Sequence, residues 1–194
     1  MERQPLPQQQ ILKGSKEFEN NRIISGGMEG EVRVWKIGKQ TQVMEVSLKE
    51  HRGRVNDIQV SKSNEQAVSA SADGSCIVWD LANFTRTICL FEKTMFKQVL
   101  YHPDEYQIVT TGSDRKIAYW DAFDGQQIRN IEASEGEINA LGFMYDFSII
   151  TIHRNQEYFL SGGEDKMLML WKYDEAISYY KGEGHASHIR KARI

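Results

Sequence analysis

The sequence predicts an all-β fold made of repeated four-stranded units, and three observations predict it. A phrase with a small hydroxyl residue, an acidic turn and a Trp recurs four times, the hydroxyl four residues before the acid and the Trp six residues after it. Short runs of alternating apolar and polar residues flank Gly- and Asp-containing turns, as strands do. The spacing of the copies is mostly in the low forties, which is typical of the blades of a β-propeller. All four Trp residues fall in this phrase: Trp35, Trp79, Trp120 and Trp171.

The second copy of the phrase divides into four predicted strands. Val55 to Val60 is the innermost, followed by Gln66 to Ser71 and Ser75 to Asp80. Thr85 to Phe91 is the outer strand. Ala72-Asp73-Gly74 supplies a tight turn, because Asp and Gly accept the backbone conformations that such turns require.

The third copy overlays the second without a gap, with every position moved by 41. It therefore predicts strands at Phe96 to Tyr101, Gln107 to Gly112 and Lys116 to Asp121, with a turn at His102-Pro103-Asp104. The fourth copy is nine residues longer than this template. We predict an insertion that precedes or extends its inner strand, within Asn139 to Phe147.

The two ends of the sequence fit the repeat less well. Residues 1–20 are expected to be a polar leader with a weak strand signal near Ile11, and residues 21–194 to be the repeats. After Trp171 we expect an outer strand at Ile177 to Lys181 and a further inner strand around Ile189 to Ile194, so that the last blade is incomplete. Exposed strand edges invite pairing, so we expect another polypeptide or further blades to cover them.

Composition excludes several classes of function. The chain has 24 basic and 27 acidic residues, so it lacks the basic excess typical of nucleic-acid binding. Cys76 and Cys89 lie in apolar stretches without metal-ligand spacing, which predicts buried, reduced thiols and a reducing compartment. No apolar run reaches membrane-spanning length, and the first ten residues lack the apolar segment of a signal peptide. We expect a cytoplasmic protein with no membrane partner.

Several residues resemble catalytic or ligand-binding groups, but each has a structural interpretation. His51, Ser69 and Asp73 could form a nucleophile, base and orienting acid, whereas a buried network would offer no substrate pocket. His102 and His153 fall at equivalent turns and are expected to be solvated, since metal-ligand partners are absent at suitable spacing. We predict no catalytic, cofactor-binding or metal-binding residues. Two Gly-rich runs are expected to pack as strands: Ser25-Gly26-Gly27 and Ser161-Gly162-Gly163. Three basic pairs are expected in solvated loops, with a binding patch as the alternative: Arg52/Arg54, Arg115/Lys116 and Lys191/Arg193.

The four phrases resemble the WD40-repeat family. The resemblance implies WD40-type β-propeller blades, about four here, that belong to a larger, seven-bladed-type ring. It also implies a structural tetrad of His51, Ser69, Asp73 and Trp79, in which the imidazole links hydroxyl and carboxylate and the indole N–H finds an acceptor. The second copy alone has all four members. In the other copies Glu29 stands in place of Asp in the first, Glu92 in place of His in the third, and Ser134 in place of His in the fourth if the insertion follows Ile138.

Longer runs resemble a family of WD-repeat proteins of cilia and flagella, whose members carry two propellers in tandem. The similarity covers Ile24 to Glu132 and Tyr158 to Tyr173 and concerns the second propeller only. It implies a non-catalytic scaffold of the ciliary or flagellar axoneme, a microtubule inner protein whose partners are tubulin and other luminal proteins. The runs are Trp35 to Met44, Lys49 to Ile58, Ser69 to Asp80 and Tyr101 to Ile108.

Two other functions remain open at this point. One is a soluble WD40 adaptor that binds short peptides within a multiprotein complex. The other is a propeller hydrolase that uses Asp73. Retention with axonemes favours the scaffold, capture of short peptides favours the adaptor, and an activity that depends on Asp73 favours the hydrolase.

Overall fold

The computed structural model describes residues 16–18, 22–38, 41–102, 104–144 and 158–190. These residues form four antiparallel sheets of four strands, and each strand pairs with the next one along the chain. The sheets follow one another in sequence: the first is β1–β4, the second β5–β8, the third β9–β12 and the fourth β13–β16. The strands are β1 (Lys16–Phe18), β2 (Arg22–Gly26), β3 (Val32–Ile37), β4 (Gln42–Leu48), β5 (Val55–Val60), β6 (Gln66–Ser71), β7 (Ser75–Asp80), β8 (Thr85–Phe91), β9 (Phe96–Tyr101), β10 (Gln107–Gly112), β11 (Lys116–Asp121), β12 (Gln127–Glu132), β13 (Ile138–Met144), β14 (Tyr158–Gly163), β15 (Leu168–Lys172) and β16 (Ile177–Gly182).

The predicted all-β fold of repeated four-stranded units is confirmed. In the second sheet all four predicted strands have the observed bounds, and the same holds for β9, β10 and β11 in the third. The overlay worked because the turn between second and third strands has the same backbone in every sheet. The residue after the acid in that turn has positive φ in all four copies: Gly30, Gly74, Arg115 and Lys166.

The second and third sheets each contribute their two faces to two different cores. Ala67 and Trp79 pack with residues of the first sheet, whereas Val68 and Val78 pack with Phe96 and other residues of the third. This follows from the alternation of side chains along a strand, which sends neighbouring residues to opposite faces. β6 and β7 are therefore buried on both faces, while the outer strand β8 is largely exposed.

The predicted place of the insertion in the fourth repeat is wrong. The inner strand is Ile138–Met144, and Ile138 pairs with Gly163. β13 is one residue longer than β9, but the other additional residues lie after it, in the connection 145–157. That connection, with His153, lies outside the described residues. Ile138 and Leu141 are buried in the core between the third and fourth sheets, and this burial fixes the strand ahead of the insertion.

The ends of the described chain agree only partly with prediction. The predicted outer strand at Ile177 to Lys181 is observed as Ile177–Gly182. The predicted strand near Ile11 lies outside the described residues, and the described strand that pairs with β2 is Lys16–Phe18. Residues 183–190 form no strand, and 191–194 lie outside the described part. Ile189 is nevertheless buried, and its amide donates to Gly163 O at 2.9 Å.

The prediction of two buried thiols is half wrong. Cys76 is buried in the core between the second and third sheets. Cys89 is exposed, because it lies on the outer strand β8, where most side chains face solvent. Both cysteines are free.

Candidate functional site

Each repeated hydroxyl accepts a hydrogen bond from the indole of its own repeat. The hydroxyl lies on the second strand and the Trp on the third, two register positions apart on the same face. Diagonal pairs of this kind are within reach of long side chains. The indole N–H to hydroxyl distances are 2.9 Å for Trp35 to Ser25 and 2.8 Å for Trp79 to Ser69, Trp120 to Thr110 and Trp171 to Ser161.

The second sheet extends this pair into a longer network around His51. His51 Nε2 lies 2.6 Å from Ser69 Oγ, and His51 Nδ1 lies 2.8 Å from Ser75 Oγ. Ser75 Oγ donates to Asp73 Oδ1 at 2.6 Å, while Asp73 Oδ2 lies 3.5 Å from His51 Nδ1. The structure thus brings together His51, Ser69, Asp73 and Trp79 and adds Ser75, which sequence reasoning missed.

The partners determine which way every proton points. The Asp73 carboxylate can only accept, so the Ser75 hydroxyl donates to it and accepts from His51 Nδ1–H. His51 Nε2 then carries no proton and accepts from the Ser69 hydroxyl, whose oxygen accepts the Trp79 indole N–H. The network is therefore one directed chain that ends on a carboxylate, with a neutral imidazole protonated at Nδ1.

The other sheets hold reduced versions of this network. In the fourth sheet the Ser134 hydroxyl donates to Asp165 Oδ2 at 2.7 Å, so Ser134 occupies the position expected once the insertion follows β13. In the third sheet Glu92 accepts the amide of Lys93 instead of joining the network. Thr94, two residues further on, accepts the amide of Asp114 at 3.2 Å. Thr94 was not a candidate from the sequence.

The geometry of the His51 network fits a structural role better than a catalytic one. Ser69 is completely buried and its oxygen already accepts the Trp79 indole N–H, so it faces no space for a substrate. The imidazole of His51 is also buried and has both nitrogens engaged. A nucleophile needs a neighbouring site for the reacting atom, and this hydroxyl has none in its own hydrogen-bonding shell. We therefore keep the prediction of a structural network.

Burial and hydrogen bonding shift the two titratable groups of the network. Desolvation lowers the pKa of His51 below 6.5, although the Asp73 carboxylate opposes that effect. For Asp73, burial acts to raise the pKa, but hydrogen bonds from Ser75 and from the Arg52 amide outweigh it, and the net pKa is lowered below 3.8. Near neutral pH the pair is a neutral imidazole beside an ionised carboxylate, as the proton directions require.

We predict that low pH destabilises the chain through His51. The unfolded chain binds a proton at about pH 6.5, whereas folded His51 binds one only at lower pH. Stability is therefore complete above that value and falls as the pH falls, by up to about 1.4 kcal/mol per pH unit. Denaturant midpoints measured at several pH values for the parent and His51→Gln should show a smaller slope in the variant. Exposed His188→Ala is the matched control, and an unchanged slope in His51→Gln would contradict the prediction.

A second charged network, on the first sheet, was missed by sequence reasoning. Glu31 bonds Lys49 Nζ at 2.8 Å, Arg33 Nη2 at 2.8 Å and the Ser47 hydroxyl at 2.7 Å. The hydrogen bond from Lys49, followed by those from Ser47 and Arg33, lowers the pKa of Glu31 to about 2. Arg33 also bonds Glu29 at 2.8 Å, so Glu29, the acid of the first repeat, is used in this network.

The ends of the sheets form two rims with different residues. The connection rim carries the second-to-third-strand turns and the links between sheets, and the turn rim carries the first-to-second and third-to-fourth-strand turns. Arg52/Arg54 and Arg115 lie on the connection rim, on the second and third sheets, and are exposed. Lys191/Arg193 lies outside the described residues. The Gly-rich run at Ser25 lies on β2 and its end, where a methyl group on Gly26 would lie 2.4 Å from Val55, so close strand packing explains it.

His102 was predicted to be solvated, and this is wrong. His102 is buried, and its ring centroid lies 4.1 Å from that of Tyr173 in the fourth sheet. Arg129 contacts the same two sheets. Its guanidinium carbon lies 4.2 Å from the Tyr119 ring centroid, and it donates a hydrogen bond of 3.0 Å to Asp174 O. A local turn pattern does not reveal this burial, because the neighbouring sheet causes it.

Two further properties concern the whole described region. Among the described residues, no three His, Cys, Asp or Glu side chains are grouped in a way that could hold a metal ion. In the same part of the chain no helix has the length and apolar character needed to cross a membrane.

A comparison with protein-family models identifies the repeat. The WD40 model, described as WD domain, G-beta repeat, matches residues 42–80 and 125–172. The chain belongs to the WD40-repeat family. Each matched WD40 unit includes the outer strand of one sheet and the first three strands of the next, since residues 42–80 run from β4 to β7. The WD40 sequence repeat is therefore offset from the sheet by one strand and links neighbouring blades covalently.

Curated relatives share this WD40 region at high identity. The chain is 47% identical over 174 residues to cilia- and flagella-associated protein 52 of Bos taurus, covering 89% of the chain and 26% of the relative. The Homo sapiens protein of that name is 46% identical, with 89% and 27% covered. The Chlamydomonas reinhardtii protein is 49% identical over 158 residues, with 81% and 24% covered. The chain spans about a quarter of the length of these relatives.

Proposed function

We propose that the chain is a non-catalytic scaffold segment of the ciliary or flagellar axoneme, where it acts as a microtubule inner protein on the luminal wall of doublet microtubules. The observation that carries this proposal is the identity of 46% to 49% with proteins named as cilia- and flagella-associated in cattle, humans and a green alga. Tubulin and neighbouring luminal proteins are the proposed partners.

The properties of the chain support a binding role in that setting. The His51 network uses its hydroxyl, imidazole and carboxylate internally, which fits a scaffold better than a hydrolase. The formal net charge of -3 fits a luminal binder, because the strongly acidic tails of tubulin project from the outer surface. A binder of those outer tails would need a clustered basic excess. The strand edges of the repeat region are proposed to be covered by further blades or another polypeptide.

Fractionation of demembranated axonemes tests the proposal. The polypeptide is expected to stay with the doublets after high-salt washing and to resist added protease while the doublet wall is intact. It should become digestible when the wall is dissolved. Release with the detergent-soluble fraction, or digestion on intact doublets, would contradict a luminal position.

The same experiment addresses the adaptor hypothesis. A soluble WD40 adaptor would leave with the detergent extract and bind short peptides there. The exposed Arg52, Arg54 and Arg115 on the connection rim are the observation that favours this second candidate. Binding of acidic peptides that is lost in Arg52→Ala and Arg115→Ala variants would support it.

A further inference from the structure

Two aromatic side chains on the turn rim of the third sheet are almost fully exposed. The exposed fraction is 76% for Tyr106, in the β9–β10 turn, and 94% for Phe123, in the β11–β12 turn. The two turns are directly bonded, since the amide of Ala122 donates to Tyr106 O at 2.9 Å. The two turns therefore lie next to each other, and Tyr106 and Phe123 are here called the aromatic rim pair.

The fold does not require aromatic residues at these positions. The second sheet has the same backbone bond, from the amide of Leu81 to Glu65 O at 2.9 Å. At the two positions equivalent to the aromatic rim pair it carries Glu65 and Ala82. Identical turns therefore form with a charged and a small residue, so the two rings contribute little to folding and leave apolar surface in water.

Side-chain hydrogen bonds fix the backbone of the two turns. Asp104 Oδ1 accepts the amide of Tyr106 at 3.0 Å, and Asp121 Oδ1 accepts the amide of Phe123 at 2.7 Å. Asp124 Oδ1 accepts the amide of Gln126 at 2.8 Å. A backbone that is already ordered loses less conformational entropy on binding, and such preorganisation favours affinity.

The two turns that carry the aromatic rim pair are acidic on balance. Lys62 of the β5–β6 turn lies beside them, and its backbone amide donates to Glu105 Oε1. Residues 104–106 and 121–126 contain four carboxylates and no Lys or Arg. A ring face attracts Lys and Arg, and carboxylates pair with the same cations. Aromatic residues are also enriched among the positions that dominate binding energy at protein interfaces. The four carboxylates belong to Asp104, Glu105, Asp121 and Asp124.

We propose that the aromatic rim pair and these carboxylates form a docking surface for a Lys- or Arg-bearing segment of a partner protein. Cationic side chains of the partner lie over the rings of Tyr106 and Phe123 and pair with the neighbouring carboxylates. This surface lies on the opposite rim from Arg52, Arg54 and Arg115, and it does not depend on the proposed ciliary location.

Binding of two labelled peptides to the full chain tests the surface. One peptide repeats Arg-Ser-Gly and the other repeats Gln-Ser-Gly at the same length. The Arg peptide is expected to bind the parent in fluorescence anisotropy, and added salt should weaken it. The double variant Tyr106→Ala with Phe123→Ala, which removes both rings and leaves the four carboxylates in place, should weaken it about tenfold.

Matched variants separate the rings from the charges and from misfolding. Tyr180→Ala removes another exposed aromatic residue, on β16, and should leave binding unchanged. Asp104→Asn with Asp124→Asn keeps the side-chain oxygens that accept the turn amides but removes two charges, so it should weaken binding and its salt dependence. Denaturant midpoints equal to that of the parent establish that each variant folds.

The proposal fails under either of two results. Equal affinity of the Arg peptide for the parent and for the Tyr106/Phe123 double variant would exclude the aromatic rim pair as its site. Equal affinity of the Gln and Arg peptides would make the surface an apolar contact without charge selection, contrary to the proposed partner chemistry.

Discussion

Replacing His51 with Ala is expected to destabilise the chain by about 1–3 kcal/mol, because it leaves buried polar partners without hydrogen bonds. Ser69 loses the acceptor of its hydroxyl proton, and Ser75 loses the donor at Nδ1. Asp73→Ala should have a similar effect, since it removes the carboxylate at the end of the directed chain and the acceptor of the Arg52 amide. Chemical-denaturation midpoints of the variants measure both losses.

Glu92→Ala is the control for this prediction. Glu92 occupies the position in the third repeat that His51 has in the second, but it bonds only the neighbouring Lys93 amide in the contacts described above. Its removal should shift the midpoint by less than half as much. Equal shifts for His51→Ala and Glu92→Ala would show that the His51 network contributes nothing beyond an ordinary loop contact.

Strand positions could be predicted from the sequence because the repeat fixes them locally. The hydroxyl, the acidic turn and the Trp lie on two adjacent strands, so one phrase determines the register of β6 on β7 and of β10 on β11. The indole to hydroxyl bond recurs in all four sheets for the same reason. The pairing of His51 with Ser69 and Asp73 was also predictable, since a known repeat supplied the three-dimensional context.

The errors concern contacts between sheets and positions without a repeat partner. His102 is buried because Tyr173 of the next sheet covers it, and no pattern around His102 reports that contact. The insertion was misplaced because the repeat pattern does not show where the inner strand lies relative to the additional residues, whereas the burial of Ile138 and Leu141 does. Ser75 was overlooked because its hydroxyl joins the network through the fold of a turn.

The aromatic rim pair could not be predicted from the sequence, because it depends on a contact between two turns that are distant in the chain. Tyr106 and Phe123 are separated by 16 residues, and each lies in an ordinary turn. The bond between the Ala122 amide and Tyr106 O places the two turns next to each other, and the structure shows that both rings are exposed. Sequence comparison between repeats does reveal that Glu65 and Ala82 stand at the same positions, and that difference marks the pair as unusual.

Phe96→Ala should be more damaging than any change in the His51 network, with an expected loss of about 3–5 kcal/mol. Phe96 begins β9 and is 2% exposed, and its ring meets that of Trp120 edge to face at 6.4 Å. It belongs to the core shared by the second and third sheets, so the cavity left by Ala weakens the packing of one sheet on the next. Neither sheet buries its apolar face alone, as is typical of repeat folds.

Phe91→Ala is the matched control for Phe96→Ala, because it removes the same ring from an exposed position on β8, where 66% of Phe91 faces solvent. Its denaturation midpoint should stay within about 0.5 kcal/mol of the parent. Amide hydrogen exchange shows which strands are destabilised. Phe96→Ala should raise the exchange rate in both β6 and β10, on the two sides of the shared core. A loss of protection confined to the third sheet, or a midpoint shift no larger than that of Phe91→Ala, would mean that the sheets fold independently of their neighbours.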